Sequence, residues 1–168
     1  MAERIQLSKN FYLDEFLRSE SAARRGYEMQ VCKGDVIGSN LTRLCRQILQ
    51  PLRDELGSVH ILSGYRDDKV NKWVGGRDTS QHRYGLAADV VVSGYAPQEV
   101  CVWINQHVMY DQLIHEFGQW SHVSIGQPLG PYRVEALTAI KKPRPLRKAK
   151  TVYLPGIMSI EQAMKEAA

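Results

Sequence analysis

The chain has 168 residues, of which 43% are hydrophobic, and this size and composition predict one compact domain rather than a multi-domain enzyme. No apolar run approaches the roughly 18 residues that a membrane helix needs, and residues 1–10 lack the apolar stretch of a signal peptide. We therefore expect a protein that is made in the cytoplasm and has no membrane partner. The 22 lysine and arginine residues only slightly outnumber the 18 acidic residues, so net charge alone does not predict nucleic-acid binding.

The first half of the chain predicts helices. Residues 1–37 are expected to form an arm of short helical stretches that wraps around the core, with the first helical run ending at Gly26. Four apolar side chains of the arm would cover the core: Phe11, Leu13, Phe16 and Leu17. Between residues 40 and 56 apolar side chains recur at steps of three and four, which predicts an amphipathic helix that ends at Gly57. Pro51 lies inside this helix and should kink it or loosen one turn.

Short strands follow, around one crossover helix. Residues 59–62 and the β-branched run in 85–93 are strand candidates, and Pro97 is expected to open a helix. Two further strand-like runs, 112–117 and 121–125, have the spacing of a hairpin. This order predicts an α+β domain in which helices surround a short antiparallel sheet.

The three cysteines, Cys32, Cys45 and Cys101, are widely spaced and form no C-x-x-C pattern. An odd number without such a pattern predicts reduced, structural thiols rather than a disulfide framework or a thiolate zinc site.

The basic residues are concentrated in one segment near the C-terminus. Six of them fall within ten positions: Lys141, Lys142, Arg144, Arg147, Lys148 and Lys150. Without these six, the formal net charge of the chain falls from +4 to −2. Because Pro143 and Pro145 interrupt the segment, we expect a solvated loop, with contact to an anionic surface such as a cell-wall polymer as the alternative. No aromatic residues are interleaved there, so a nucleic-acid partner is not expected. A capping box at Ser159 predicts a short final helix.

Polar residues and glycines cluster between the predicted strands. His82 and Asp89 are seven residues apart, a spacing that suits a loop running into a strand, and Gly85 would allow the turn between them. His122, in the second strand of the predicted hairpin, would be a third donor. Two imidazoles and one carboxylate with an open fourth position are usual ligands of a catalytic zinc ion. Spacing alone does not bring residues 82 and 122 together.

A longer match resembles a known family. The pattern S-x-H-x-x-G-x-A-x-D over residues 80–89, with W-x-H over residues 120–122, resembles the zinc D-Ala-D-Ala peptidases of the M15 type. Other stretches resemble the phage and bacterial branch of that family: Leu13-x-Glu15-Phe16, Leu52-Arg53, Ser63-Gly-Tyr-Arg66 and Val74-Gly-Gly76. The resemblance implies that His82, Asp89 and His122 hold one Zn²⁺ per chain, in the small α+β fold that these peptidases share with hedgehog signalling domains.

The resemblance also implies roles around the metal. Arg66 would be a catalytic and substrate-binding residue, which its planar guanidinium suits, because it can pair with a carboxylate or a developing oxyanion. A surface ion pair with Asp67 or Asp68 is the alternative for Arg66. Ser80 and Trp120 are further candidate substrate-binding residues, with core packing as the alternative for Trp120.

A zinc peptidase also needs a general base, normally a carboxylate, to accept a proton from the attacking water. Many M15 peptidases carry an Asp or Glu three residues before the last histidine, but this chain has Gln119 there, which cannot accept a proton. Glu116, six residues before His122, is the available substitute, and the branch that the chain resembles carries its glutamate at this position.

The hairpin leaves two geometries open. A loop of residues 118–120 would pair 116 with 122 and place Glu116 and His122 on one face. A loop of 118 and 119 alone would pair 115 with 122 and turn His115 toward the metal. We favour Glu116 as the base, with His115 as a possible auxiliary proton donor and oxyanion stabiliser.

Together these features predict a monomeric zinc peptidase that cleaves bacterial peptidoglycan stem peptides or cross-links. It would act on the cell wall as a phage endolysin or a virion-borne hydrolase. The alternatives are a D-Ala-D-Ala carboxypeptidase and a non-catalytic zinc-binding module of hedgehog-like fold, which the presence of Gln119 favours. We expect one domain over residues 1–168, with an arm (1–37), a catalytic core (38–138) and a basic segment with a C-terminal helix (139–168).

Overall fold

A six-stranded sheet forms the framework of the protein, and helices pack against one of its faces. The computed structural model describes residues 4–31, 34–145 and 147–168. Within them the helices are α1 (Leu13–Phe16), α2 (Glu20–Ala23), α3 (Val36–Leu44), α4 (Gln50–Leu56), α5 (Asp68–Trp73), α6 (Pro97–His107) and α7 (Ile160–Glu166). None of these helices has the length and apolar character required to cross a membrane. The predicted α+β class is confirmed.

Two sheets are present in the described residues. The strands are β1 (Gln6–Ser8), β2 (Phe11–Tyr12), β3 (Val59–Ser63), β4 (Ala87–Val92), β5 (Gln112–Glu116), β6 (Trp120–Ser124), β7 (Glu135–Arg144) and β8 (Arg147–Pro155). Strands β1 and β2 pair with each other, and the larger sheet has the order β3-β4-β6-β5-β7-β8.

The N-terminal arm covers the core as predicted. Phe11, Leu13 and Phe16 are buried in the main hydrophobic cluster, and Gly26 adopts a left-handed φ of 60° where the turn after α2 ends. The arm also contains the short pair β1 and β2, which the helical prediction missed, because two- and three-residue strands leave no periodic signal.

The predicted amphipathic helix is present, and Pro51 loosens it. Helices α3 and α4 are joined without a break by a π-helical stretch, Cys45–Leu49. In that stretch the N–H of Gln50 donates to the carbonyl of Cys45, five residues back. Pro51 has no N–H to continue the α-helical pattern, so one turn widens just before it. The helix ends at Gly57, whose φ is 93°.

The main core lies between the sheet and the helices α3, α4 and α6. From β4 it takes Ala88, Val90 and Val92, which alternate along the strand and therefore share one face. Cys45 and Cys101 are free thiols buried in this core, and burial raises the pKa of Cys101 to about 12. Both are structural, as predicted, and Cys32 lies outside the described residues.

The basic segment is a β-hairpin rather than the expected loop. Strand β7 pairs with β5 in parallel and with β8 antiparallel, so the sheet is mixed and longer than the short antiparallel sheet that we expected. Pro143 fits because the register shifts between Lys142 and Arg144, where no ladder hydrogen bond is required of it. After the hairpin, Ser159 caps α7 by accepting a hydrogen bond from the N–H of Gln162, which confirms the predicted final helix.

Candidate active site

Three of the predicted site residues meet on the sheet face that is turned away from the main core. Asp89 on β4 pairs directly with His122 on β6, so both side chains leave the same face. Ala88 and Val90, on either side of Asp89, point into the core instead. His82 reaches the same place from a short 3₁₀ turn, Gln81–Tyr84, just before β4.

Two glycines allow the turn that carries His82. Gly85 ends the turn with a left-handed φ of 66°, and a Cβ there would lie 2.9 Å from the backbone oxygen of Ile37. A Cβ on Gly64 would lie 2.7 Å from the backbone of Phe16. Gly64 also fixes the imidazole, because Nδ1 of His82 lies 2.6 Å from its carbonyl oxygen. With Nδ1–H donating to that carbonyl, Nε2 is left as the ligand atom.

The three ligand atoms form a compact triangle. Nε2 of His82 lies 3.3 Å from Nδ1 of His122 and 3.3 Å from Oδ1 of Asp89. Nδ1 of His122 lies 2.8 Å from the same Oδ1. Tetrahedral zinc with bonds of about 2.0–2.1 Å separates its ligand atoms by about 3.3 Å. The donor set and its spacing therefore fit one zinc ion, and all three residues are buried.

The charges at the triangle suit a metal cation. Burial lowers the pKa of His82, which keeps its imidazole neutral and able to ligate. Burial alone would raise the pKa of Asp89, but the contacts with His82 and His122 outweigh it and hold that pKa well below its usual range. The site thus combines an ionised carboxylate at Asp89 with a neutral imidazole at His82.

Arg66 is part of this arrangement. Its Nη2 donates to Oδ2 of Asp89 at 3.0 Å, and its Nε donates to Oγ of Ser63 at 3.0 Å. The guanidinium thereby holds the second oxygen of Asp89 while Oδ1 faces the two histidines. The surface ion pair considered for Arg66 is wrong, because Asp67 caps α5 and Asp68 pairs with Arg83.

Glu116 and Trp120 lie beside the triangle on the same sheet face. They are direct cross-strand partners, and Glu116 is the diagonal neighbour of His122, a separation of about 7–8 Å. Burial raises the pKa of Glu116, and the nearby charges of His122 and Arg66 oppose that rise. The indole N–H of Trp120 is buried beside Glu116, and its interaction with that carboxylate also opposes the rise.

A comparison with protein family models identifies the family to which this site belongs. The model of the peptidase M15 family matches residues 9–124, more than two thirds of the chain. The chain belongs to the peptidase M15 family. M15 proteins are zinc metallopeptidases, and the matched part of this member contains the His-Asp-His triangle and Glu116. A comparison with curated proteins gives no match.

The hairpin register of this M15 protein differs from both geometries that we considered. Its loop consists of residues 117–119, so Glu116 pairs with Trp120 and Ile114 with His122. The strand ends one residue early because Phe117 takes a left-handed φ of 57° and donates its N–H to Ala139 on β7. The shift leaves Glu116 and His122 on one face.

The structure does not bring His115 to the site. It pairs with Ser121 on the opposite face of the hairpin, and its Nδ1 lies 2.9 Å from the carbonyl oxygen of Met158. Gln119, at the position where many M15 members carry a carboxylate, is exposed in the turn. Ser80 immediately precedes the His82 turn and is partly exposed.

A second group of polar residues, which the sequence did not predict, supports the turn. The side-chain amide of Gln81 donates to Asp111 at 3.0 Å and to the carbonyl of Ile125 at 3.2 Å. Arg133 donates both to Asp111 and to the side-chain oxygen of Gln81. These contacts fix the residue next to His82, but they join segments 22 to 52 residues apart, which no local pattern reveals.

Proposed function

We propose that this M15 protein is a zinc-dependent peptidase that hydrolyses peptide bonds in stem peptides or cross-links of bacterial peptidoglycan. The observation that carries the proposal is the buried triangle of His82, Asp89 and His122 with the carboxylate of Glu116 beside it on one sheet face. Two histidines, one carboxylate and a neighbouring glutamate are the parts that zinc-assisted peptide hydrolysis needs.

Zinc, when bound by the three ligands, supplies Lewis-acid activation of water and of the peptide carbonyl. Glu116 accepts the proton of the attacking water and returns it to the leaving amine. Its raised pKa suits this double role, because a carboxyl group that titrates nearer to neutral pH both takes up and releases a proton more readily. Glu116 therefore acts as general base and then as general acid.

Arg66 and the residues around the triangle would bind the peptide. The Arg66 side chain is 17% exposed beside Asp89, so its remaining N–H groups can donate to a substrate carbonyl or carboxylate. Trp120, the cross-strand partner of Glu116, and Ser80, two residues before His82, would line the cleft beside the zinc ligands.

We further propose that the enzyme works as a monomer on the cell wall, as a phage endolysin or a virion-borne hydrolase. The exposed cations of the hairpin β7–β8 support attraction to an anionic wall. We expect neither nucleic acid nor a membrane to be a partner.

Mass spectrometry of purified peptidoglycan incubated with the zinc-loaded protein tests the proposal. We expect new amino termini within stem peptides or cross-links, lost on chelation and restored by zinc. His82→Ala should remove both zinc and cleavage, whereas His60→Ala, at an exposed histidine on β3, should retain both. If terminal D-alanine were the only product, the protein would be a carboxypeptidase and the proposed cleavage within stem peptides or cross-links would be wrong. A protein that binds one zinc ion and cuts no bond would be a binding module.

A further inference from the structure

The sheet face that carries the active site continues into the hairpin β7–β8, which lies outside the residues that the family model matches. Ala139 on β7 is in register with Glu116, so the two side chains share a face. Side chains alternate along a strand, so Lys141 stands on this face as well, whereas Ile140 packs against α7 on the other face. Lys141 therefore faces the active-site side of the sheet, and the adjacent Lys142 does not.

A chain of contacts leads from Glu116 to the Lys141 ammonium. Trp120 is the cross-strand partner of Glu116, and its ring meets the ring of Phe117 edge-on, with 5.6 Å between the ring centroids. Nζ of Lys141 in turn lies 4.5 Å from the centroid of the Phe117 ring, within the distance of a cation–π contact. The two aromatic rings thus lie between Glu116 and the positive charge of Lys141.

Phe117 adopts a strained backbone in this position. Its φ is 57°, in the left-handed region that residues with large side chains rarely adopt. The hydrogen bond from its N–H to the carbonyl of Ala139 fixes this conformation. Backbone strain of this kind is concentrated at sites where one side-chain direction is required. The strain therefore supports a role for the surface that the Phe117 ring shares with Trp120 and Lys141.

The Lys141 ammonium is held in place and keeps donors for a ligand. It donates to Oγ1 of Thr151, its cross-strand partner on β8, at 3.0 Å. Among the residues that the structure describes, no carboxylate pairs with it, and Lys141 is exposed. An ammonium has further N–H donors beyond the one that Thr151 accepts. Because the Thr151 oxygen accepts from the ammonium, its own O–H can donate to the same ligand.

We propose that Lys141 and Thr151 form a subsite that binds a carboxylate of the substrate, reached from the zinc-binding triangle across the two aromatic rings. A cationic ammonium and a hydroxyl both donate hydrogen bonds, and together they favour an anionic acceptor with two oxygens. This subsite rests on the proposed function, because peptidoglycan stem peptides carry free carboxylates near the bonds that such an enzyme cuts.

The register gives the distance from the zinc ligands. Ile114 is the partner of His122, Glu116 is two residues farther along β5, and Lys141 is two residues beyond Ala139, the partner of Glu116. Lys141 therefore lies about 13 Å farther along the strands than His122 and about 10 Å to the side. About four or five residues of extended peptide span this separation, so a stem peptide or cross-link can reach both places.

Soluble stem peptides with the same C-terminus, one form with free side carboxylates and one with those carboxylates amidated, test the subsite. Native enzyme should cleave the acid form with a kcat/KM about 5-fold above that of the amidated form, the size expected of an exposed ion pair. Lys141→Gln should abolish this preference through KM and leave kcat unchanged. Lys141→Arg should retain the preference, and Thr151→Val should reduce it about 2-fold.

Lys142→Gln is the matched control. It removes the same charge from the neighbouring residue, whose ammonium donates to the carbonyl of Ala167 at the end of α7. The preference for the acid form should be unchanged in this variant. A preference that survives Lys141→Gln, or that Lys142→Gln removes equally, would refute the subsite.

Binding separates this subsite from the proposed activity. Calorimetry with zinc-loaded Glu116→Gln protein should show tighter binding of the acid form, and Lys141→Gln in that background should remove the difference. If native enzyme cleaves and binds the two forms equally, the subsite is wrong and the peptidase stands. If neither form is cleaved or bound, the proposed function fails and the subsite fails with it.

Discussion

Asp89 is the residue on which the site is centred. One of its oxygens faces both histidines and the other accepts from Arg66. A carboxylate that is 12% exposed would be costly to keep ionised without such partners. Arg66 therefore belongs to the machinery that orients a zinc ligand, in addition to any contact with substrate.

Arg66→Lys tests this orienting role. Lysine keeps the charge but cannot bridge Ser63 and Asp89 at once, because it lacks the planar fork of arginine. We expect zinc affinity to fall about 10-fold, within the range found when a partner of a metal ligand is changed. Competition with a chromophoric chelator measures the zinc affinity. The matched control is Arg46→Lys, at an exposed position in the π-helical stretch between α3 and α4. An unchanged affinity would show that Arg66 does not orient Asp89.

The sequence predicted the individual site residues better than it predicted the contacts that support them. His82, Asp89, His122 and Glu116 stand in a string of fixed spacings that resembles one family, and the structure groups all four on one sheet face. The support that Gln81 receives from Asp111 and Arg133 could not be predicted, because these polar residues are ordinary in sequence and meet only through the tertiary fold.

At the scale of elements, the turn that presents His82 depends on Gly85. Its left-handed backbone and the closeness of Ile37 exclude any side chain. Element positions followed from periodicity and from breakers such as Gly57 and Pro97, but the hairpin register did not. The register shifts by one residue because Phe117 donates a hydrogen bond to Ala139. Ala139 lies on β7, a strand that the sequence did not predict.

A comparison of Gly85→Ala with Gly94→Ala separates the energetic cost of backbone strain from the cost of crowding by neighbouring atoms. Both glycines have left-handed φ values, 66° and 85°, but only a Cβ at Gly85 meets neighbouring atoms. We expect Gly94→Ala to lower the free energy of unfolding by about 1 kcal/mol and Gly85→Ala by about 3 kcal/mol. Urea denaturation of the metal-free proteins measures both changes. Equal losses would mean that the contact with Ile37 does not constrain the turn.

Asp111 links the turn to the rest of the molecule in a pH-dependent way. Burial alone would raise its pKa, but the hydrogen bonds and charge of Arg133 outweigh burial and lower the pKa below its ordinary value. A carboxyl group with a depressed pKa in the folded state stabilises the protein above its unfolded pKa of about 3.9 and loses this contribution as the pH falls toward the folded value.

Asp111→Asn should therefore be destabilising by about 1–3 kcal/mol at pH 7, since half of Arg133 is exposed and part of the interaction is screened. The difference from wild type should shrink below about pH 4. Denaturation curves between pH 3 and pH 7 measure the change, with Asp54→Asn at an exposed helix position as the control. A difference that stays constant over this range would contradict the ionised pair.

At the scale of the whole molecule, positive charge is gathered on the hairpin β7–β8. Its cross-strand partners include Lys142 with Lys150 and Arg144 with Arg147. Like charges placed directly opposite each other destabilise a sheet, so their presence favours a role for the hairpin in binding an anionic surface. The sequence revealed this concentration of charge but not its arrangement on two paired strands.

Replacing Arg144 and Arg147 by glutamine should slow the clearing of whole cell walls at low salt and flatten its salt dependence, because steering between exposed charges is screened above about 0.1 M salt. Cleavage of soluble stem peptides should be unaffected. The paired change of Lys9 and Arg46 to glutamine removes the same charge elsewhere. If both double variants slow clearing equally, net charge and not the hairpin is responsible.

In the proposed function, one zinc ion and Glu116 together hydrolyse peptidoglycan peptides. The most direct measurement is the loss of turbidity of purified peptidoglycan, with zinc content determined in parallel, for the native chain and for Glu116→Ala. We predict clearing by the native chain that stops on chelation and returns with zinc. Glu116→Ala should retain one zinc ion per chain and clear at least about 100-fold more slowly, the contribution typical of a general base. Clearing by Glu116→Ala at the native rate would contradict this account.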